Sequence, residues 1–156
     1  MSLFDRCAEC RRCCHVDPGE PPLEITLTAE EGGKFGHLCL ERECRFLGAT
    51  GCVLGDAKPF SCQAYPLAYK PRNQGFYYDA ECPLMKDYIA QLADPQSEAS
   101  THLAQVHQRI RELEKSDAEF LDHNFAVDKH YFKLRRLALK TGSAKTWRSW
   151  KFWFGL

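Results

Sequence analysis

Four cysteines, Cys7, Cys10, Cys13 and Cys14, stand close together at the spacing C-x2-C-x2-C-C. A gap of two residues brings neighbouring sulfur atoms within reach of a single metal centre. We expect the adjacent pair, Cys13 and Cys14, to point in different directions and not to serve the same ion. The spacing therefore predicts a loop that belongs to one metal site and contributes one thiolate to a second metal site.

The sequence has nine cysteines in 156 residues and a formal net charge of zero. Its first residues carry no apolar signal core, and no apolar run is long enough to span a bilayer. We therefore expect a cytoplasmic protein, in which thiols stay reduced. An odd number of cysteines without an export signal favours metal ligation over a disulfide framework.

A second group of cysteines falls between residues 39 and 82, in a stretch punctuated by glycine and proline. Its segments read C-x-F-L from Cys44, G-C-x-L at Cys52, and P-x-x-C-x-x-Y-P around Cys62, with Cys82-Pro83 after them. Glycine and proline are expected where backbone wraps closely around a buried centre.

These segments, together with the first loop, resemble the CxxCxxCC family of zinc- or iron-chelating cysteine-cluster proteins, also called YkgJ-like. The resemblance covers residues 7–83, and Lys58 and Gln63 stand where the family usually has arginine. The family includes flagellin lysine methylases, but nothing in this sequence marks a donor-binding pocket. The resemblance implies eight ligands and leaves Cys39 over. The eight are Cys7, Cys10, Cys13, Cys14, Cys44, Cys52, Cys62 and Cys82.

Soft thiolate ligands select zinc or iron–sulfur centres over magnesium or calcium. Zinc sites usually combine two separated C-x2-C pairs, whereas a triple spacing with a remote Cys-Pro is closer to the ferredoxin arrangement. We therefore prefer an iron–sulfur cluster to zinc. Our hypothesis gives one centre to Cys7, Cys10 and Cys13 with a distant cysteine such as Cys82. The remaining four would hold a second centre or complete the first: Cys14, Cys44, Cys52 and Cys62.

The pattern of apolar residues predicts a single α+β domain. Residues 1–94 would form a small loop-rich cysteine lobe with short strands at 23–27 and 75–80. Residues 95–156 would form a helical extension that covers it. A capping box at Thr28 opens a short helix that Gly32 and Gly33 would end. Further helices are predicted over 97–115, from Ser116 through residue 121, and over 128–140 with Gly142 as the stop.

The end of the sequence is basic and aromatic. Residues 128–156 contain eight basic residues against one acidic, and Trp147, Trp150 and Trp153 would share one side of a helix. This helix would fold back onto the body, dock a protein partner or lie on a membrane surface. A single short helix makes nucleic acid an unlikely partner.

Two functions remain open at this stage. The first is a redox or catalytic iron–sulfur protein, and the second is a zinc-stabilised structural or interaction module that docks partners through the basic aromatic end. No cofactor fingerprint or acid/base pair accompanies the cysteines, so the sequence assigns no reaction. We interpret His15 as a solvated residue beside the site, and the tyrosines near the cysteines, Tyr65, Tyr77 and Tyr78, as packing residues.

Overall fold

The computed structural model describes residues 2–139. Short 3-10 helices lie at Leu3–Arg6, Arg12–Cys14, Gly55–Ala57 and Pro71–Asn73. The α-helices are α1 (Cys7–Cys10), α2 (Ala29–Phe35), α3 (Phe60–Ala64), α4 (Met85–Gln91), α5 (Glu98–Ser116) and α6 (Ala118–Tyr131).

The strands are short and pair antiparallel. They are β1 (Leu23–Glu24), β2 (Cys39–Leu40), β3 (Leu47–Gly48), β4 (Gly51–Cys52), β5 (Leu67–Lys70), β6 (Gly75–Asp79) and β7 (Leu134–Arg136). Strand β1 pairs with β2, β3 pairs with β4, and β6 is the centre of a three-stranded sheet in the order β5-β6-β7. The chain is therefore an α+β protein, as the sequence predicts.

Helix α5 confirms the predicted amphipathic segment. The Ser97 hydroxyl accepts a hydrogen bond from the Ser100 amide and caps the helix. Its buried side chains recur at three- and four-residue intervals, so one face packs into the core. The main core joins this face to α3, α4, α6 and the three-stranded sheet. Its most deeply buried members include Tyr88, Ala99, Ile110 and Leu113.

Helix α2 begins where the capping box predicts, but it does not end there. Thr28 accepts from the Glu31 amide, and the Glu31 carboxylate accepts in turn from the Thr28 amide. The prediction that Gly32 and Gly33 end the helix is wrong, because the helix continues to Phe35 and ends at Gly36 with φ of 71°. Of Gly32, Gly33 and Gly36, only Gly36 has the positive φ that favours glycine at a helix end. The predicted strand over 23–27 is shortened to the two residues of β1.

The boundaries after α5 differ from those predicted. Asp117, rather than Ser116, is the N-cap of the next helix and accepts from the Phe120 amide. Helix α6 then runs to Tyr131, and β7 follows it, so the helix predicted over 128–140 is wrong. Leu134 pairs with Asp79 on β6, and the Leu137 amide donates to the Phe76 carbonyl. Tertiary pairing with β6 thus decides the conformation of a segment that its periodicity assigns to a helix.

The predicted aromatic helix with Trp147, Trp150 and Trp153 lies outside the described residues. Within residues 2–139, none of the helices combines the length and the apolar character that crossing a membrane requires.

Candidate metal centre

The first four cysteines lie on two short turns joined by a left-handed residue. Helix α1 carries Cys7 and Cys10 and ends at Arg11, whose φ is 51°. A 3-10 turn then carries Cys13 and Cys14. The Arg11 side chain stabilises this reversal, because its guanidinium donates to the carbonyls of Ala8 and Ala49 at 3.0 and 3.1 Å. The reversal at Arg11 brings both turns of cysteines into one compact loop.

The loop packs against the hairpin formed by β3 and β4, which carries Cys52. A Cβ added at Gly51 would lie 3.7 Å from the Ala8 side chain, so the hairpin and α1 are in close contact. The Cys44 amide donates to the Cys14 carbonyl at 2.9 Å, which fixes the start of the hairpin beside the second turn. Backbone contacts therefore bring Cys44 and Cys52 next to the first loop.

The two remaining candidates come from the body of the protein. Cys62 lies on α3, whose Phe60 and Ala64 are buried in the main core. Cys82 follows β6 and is itself part of that core, with 6% of its surface exposed. It is the one buried cysteine of the nine, all of which lie within residues 2–139 and are free thiols.

Cys10 lies close enough to Cys7 and Cys82 for its charge to influence the ionisation of both. Burial raises the pKa of Cys7, and the negative charge of Cys82 raises it further, as do Cys10 and Cys14. Burial also raises the pKa of Cys82, to which the Asp79 and Cys10 charges add. The charges of Cys10 and Cys82 therefore both reach Cys7, and the grouping of these cysteines in a first centre stays a prediction.

A second set surrounds Cys62. Burial raises the pKa of Cys62 to about 12, with further contributions from the charges of Cys14, Cys44 and Cys52. Burial likewise raises the pKa of Cys44, and the charges of Cys14 and Cys52 add to it. These four cysteines are the second set of our hypothesis.

Cys13 and Cys14 lie between the two sets, and their sulfur atoms are only 3.9 Å apart. Our expectation that these neighbours point in different directions is therefore wrong. A hydrogen bond from Cys13 to Cys14 raises the pKa of Cys13 and lowers that of Cys14. Two sulfur ligands of one tetrahedral zinc, each bonded at about 2.3 Å, are separated by about 3.8 Å. The pair thus has a separation suited to a shared ion as well as to neighbouring ones.

A tyrosine and an aspartate that the sequence did not single out as site residues stand beside Cys82. The Tyr65 hydroxyl donates to Asp79 Oδ2 at 2.7 Å, and its proximity to Cys82 partly offsets the rise in the pKa of that thiol. Burial and the charges of Cys82 and Asp79 raise the pKa of Tyr65. Sequence reasoning treated Tyr65 as packing and did not consider Asp79. The available signal was an acidic residue on a predicted strand three positions before a ligand.

Other polar residues near the cysteines have separate contacts. His15 Nε2 lies 3.6 Å from Asp17 Oδ1 and is half-exposed. The positive charge of Lys58 lowers the pKa of Cys14 and partly offsets the increase at Cys7, so this lysine faces the cysteines. Cys39, the cysteine left over by the resemblance, is exposed on β2 and pairs in register with Glu24.

The donor set suits a soft metal ion. Thiols that raise one another's pKa repel as thiolates, and a bound cation removes that repulsion. Among residues 2–139, no group of three or more cysteine, histidine or acidic side chains has the arrangement of a ready metal site. Several thiols of the described residues therefore act on one another electrostatically but do not form a coordination sphere.

Comparison with known proteins identifies no relative of this chain: no family model matches it, and no curated protein or solved structure does.

Proposed function

We propose that the protein binds a thiolate-ligated metal centre, an iron–sulfur cluster in preference to zinc, as a member of the CxxCxxCC family. The observation that carries this proposal is the hydrogen bond from the Cys44 amide to the Cys14 carbonyl, which joins the two cysteine segments beside the 3.9 Å contact of the Cys13 and Cys14 sulfur atoms. Cys7, Cys62 and Cys82 belong to an N-terminal helix, a core helix and the end of a strand, yet each acts on a neighbouring thiol.

The residues divide naturally between two candidate centres. Cys7, Cys10 and Cys82 would hold the first, and the second would take Cys14, Cys44, Cys52 and Cys62. Cys13 contacts Cys14. That contact and burial are the main causes of the raised pKa of Cys13, and the charges of Cys7 and Cys62 raise it further. It would therefore complete the first centre or join the two. A bound cluster would supply one-electron chemistry at this position.

Metal analysis of anaerobically purified protein tests the proposal. We expect iron and acid-labile sulfide, with a brown colour and an electron paramagnetic resonance signal after reduction. The variants Cys82→Ser and Cys62→Ser should each lose most of the bound metal. Cys39→Ser is the matched control, because it removes an exposed thiol outside both sets and should keep the full complement.

Two results would count against the proposal in different ways. A colourless protein with stoichiometric zinc would replace the iron–sulfur centre with the zinc-stabilised module and direct attention to its basic aromatic end as a docking segment. A folded protein that binds neither metal, before or after anaerobic reconstitution, would remove the proposed function altogether.

A further inference from the structure

Arg12 occupies the loop between Cys10 and Cys13 and reaches back to the body of the protein. Its guanidinium Nε lies 3.5 Å from Asp79 Oδ2 at the end of β6. A second guanidinium nitrogen donates to the Glu81 carboxylate, which also pairs with Lys133 at 3.0 Å. The first cysteine loop is thus held by ion pairs to the segment that leads directly into Cys82.

Asp79 is the buried member of these contacts. Its side chain is 1% exposed, whereas those of Arg12 and Glu81 are 39% and 42% exposed. Besides the contact with Arg12, its two carboxylate oxygens accept from the Tyr65 hydroxyl and from the Glu81 amide. A buried carboxylate with three partners is held in one orientation, and removing a partner leaves charge without compensation.

Tyr65 extends the same contacts to a candidate ligand. Its hydroxyl lies between Asp79 and Cys82, and the Asp79 amide donates to the carbonyl of Pro66 at 3.0 Å. The Cys82 amide also donates to the Asp79 carbonyl at 3.1 Å. One aspartate therefore contacts the loop of Cys10 and Cys13 through Arg12, and contacts Cys82 both through its backbone and through Tyr65.

We propose that Asp79 is a positioning residue that holds the first cysteine loop beside Cys82, where the proposed metal centre would form. This inference rests on the proposed function and concerns how the site is assembled. Outer residues that hydrogen-bond or orient metal ligands typically contribute 10- to 100-fold to metal affinity. A carboxylate that orients two parts of the same site is expected to act within that range.

The sheet offers a matched control for Asp79. The Tyr69 hydroxyl donates to the Glu114 carboxylate at 2.6 Å, which is the same kind of tyrosine–carboxylate contact. It lies on β5 and α5 and involves no cysteine. Glu114 is exposed, whereas Asp79 is buried, so Glu114→Gln controls for loss of a tyrosine–carboxylate contact away from the loop of Cys10 and Cys13.

The experiment compares wild type with Asp79→Asn, Arg12→Gln, the double variant and Glu114→Gln. The first measurement is the rate at which the metal-loaded protein loses metal to a chelator. The second is the rate at which iodoacetamide alkylates each cysteine of the metal-free protein, resolved by mass spectrometry. We expect both single variants to lose metal on the order of tenfold faster. Alkylation should rise at Cys10 and Cys13 but not at Cys39, and Glu114→Gln should match wild type.

The double variant separates positioning from general stability. If Arg12 and Asp79 act through one contact, the double variant should lose metal no faster than Asp79→Asn alone. Equal acceleration of alkylation at every cysteine, Cys39 included, would overturn the proposal by showing a general loss of structure. If Asp79→Asn does not fold, Arg12→Gln decides, because its side chain is on the surface.

Failure of this inference can be told apart from failure of the proposed function. A wild-type protein that binds no metal contradicts the function, yet the alkylation rates still test whether Asp79 orders the loop. A wild-type protein that binds metal as tightly as the Asp79→Asn and Arg12→Gln variants contradicts the inference alone.

Discussion

The body of the protein and its cysteine loops are ordered by different means. The body, built from α3 to α6 and the three-stranded sheet, shares one large cluster of buried apolar side chains. The region of residues 7–53, in contrast, contributes a small cluster whose fully buried members are Val16, Leu23 and Leu40. Its strands are two residues long, and four of its cysteines are only half-buried.

This difference indicates what each region requires. Apolar burial is the main source of folding free energy for the body, at about 1.5–3 kcal/mol for each large side chain removed from water. The loops bury few such side chains and instead gather thiols. On the proposed function, the free energy of metal binding would contribute to the folding of these loops.

Removal of the metal should have the largest effect, and it should separate the two regions. We expect hydrogen-exchange protection to fall roughly tenfold or more in residues 7–14 and 44–53, while residues 103–113 of α5 stay protected. Hydrogen exchange with mass spectrometry on loaded and chelator-treated protein measures this. Equal loss of protection in α5 would show that both regions depend on the metal, which would contradict the difference between the body and the cysteine loops.

A core truncation should affect the body directly. Ile110 is 1% exposed in the main core, and Ile110→Ala should lower the free energy of unfolding by about 2–5 kcal/mol. Urea unfolding followed by circular dichroism measures the change. The protein that remains folded should retain its metal, because Ile110 is on α5 and outside the cysteine loops. Metal loss from still-folded protein would contradict the separation of the two regions.

A smaller effect is expected from a carboxyl group near the boundary between the regions. Burial raises the pKa of Asp128 from 3.8 to about 8, and the charge of Asp79 adds to the shift. The folded protein therefore holds a proton that the unfolded chain releases, so this group's contribution to stability is full below pH 3.8 and is lost as the pH rises towards 8.

Asp128→Asn removes this dependence, since the amide stays neutral. The free energy of unfolding of the variant, relative to that of wild type, should rise as the pH rises from 4 to 8, and the difference should approach zero near pH 4. Urea unfolding of both proteins across this range provides the test, and subtraction cancels the titration of the cysteines. A difference independent of pH would assign the change to packing instead of ionisation.

Local signals predicted the parts of the fold that local chemistry determines. The capping box at Thr28 marks a true helix start, because a hydroxyl that bonds a nearby amide needs no distant partner. The α+β class also followed from the alternation of apolar patterns. The helix predicted over 128–140 was wrong for the opposite reason. Residues 134–136 form β7 because they pair with β6, which lies more than fifty residues away in the sequence.

The candidate site was predictable to a similar degree. Cysteine spacing identified the ligand candidates, since thiols have few other uses at that density in a reduced compartment. Asp79 could not be identified, because a single aspartate acquires its role only when folding brings Arg12 and Tyr65 to it. The contact between Cys13 and Cys14 was missed because it depends on the 3-10 turn, which sequence spacing does not specify.

The position of Cys82 has a consequence for how the protein matures. This cysteine is fixed in the main core, whereas Cys7 and Cys10 are on the surface. On the proposed function, folding of the body alone would present two anchored ligands, Cys62 on α3 and Cys82 after β6, and the N-terminal ligands would join them when the metal binds. Loading would then proceed from the solvent side, by capture of the N-terminal segment, and an assembly factor would need access only to the first fourteen residues and the hairpin beside them.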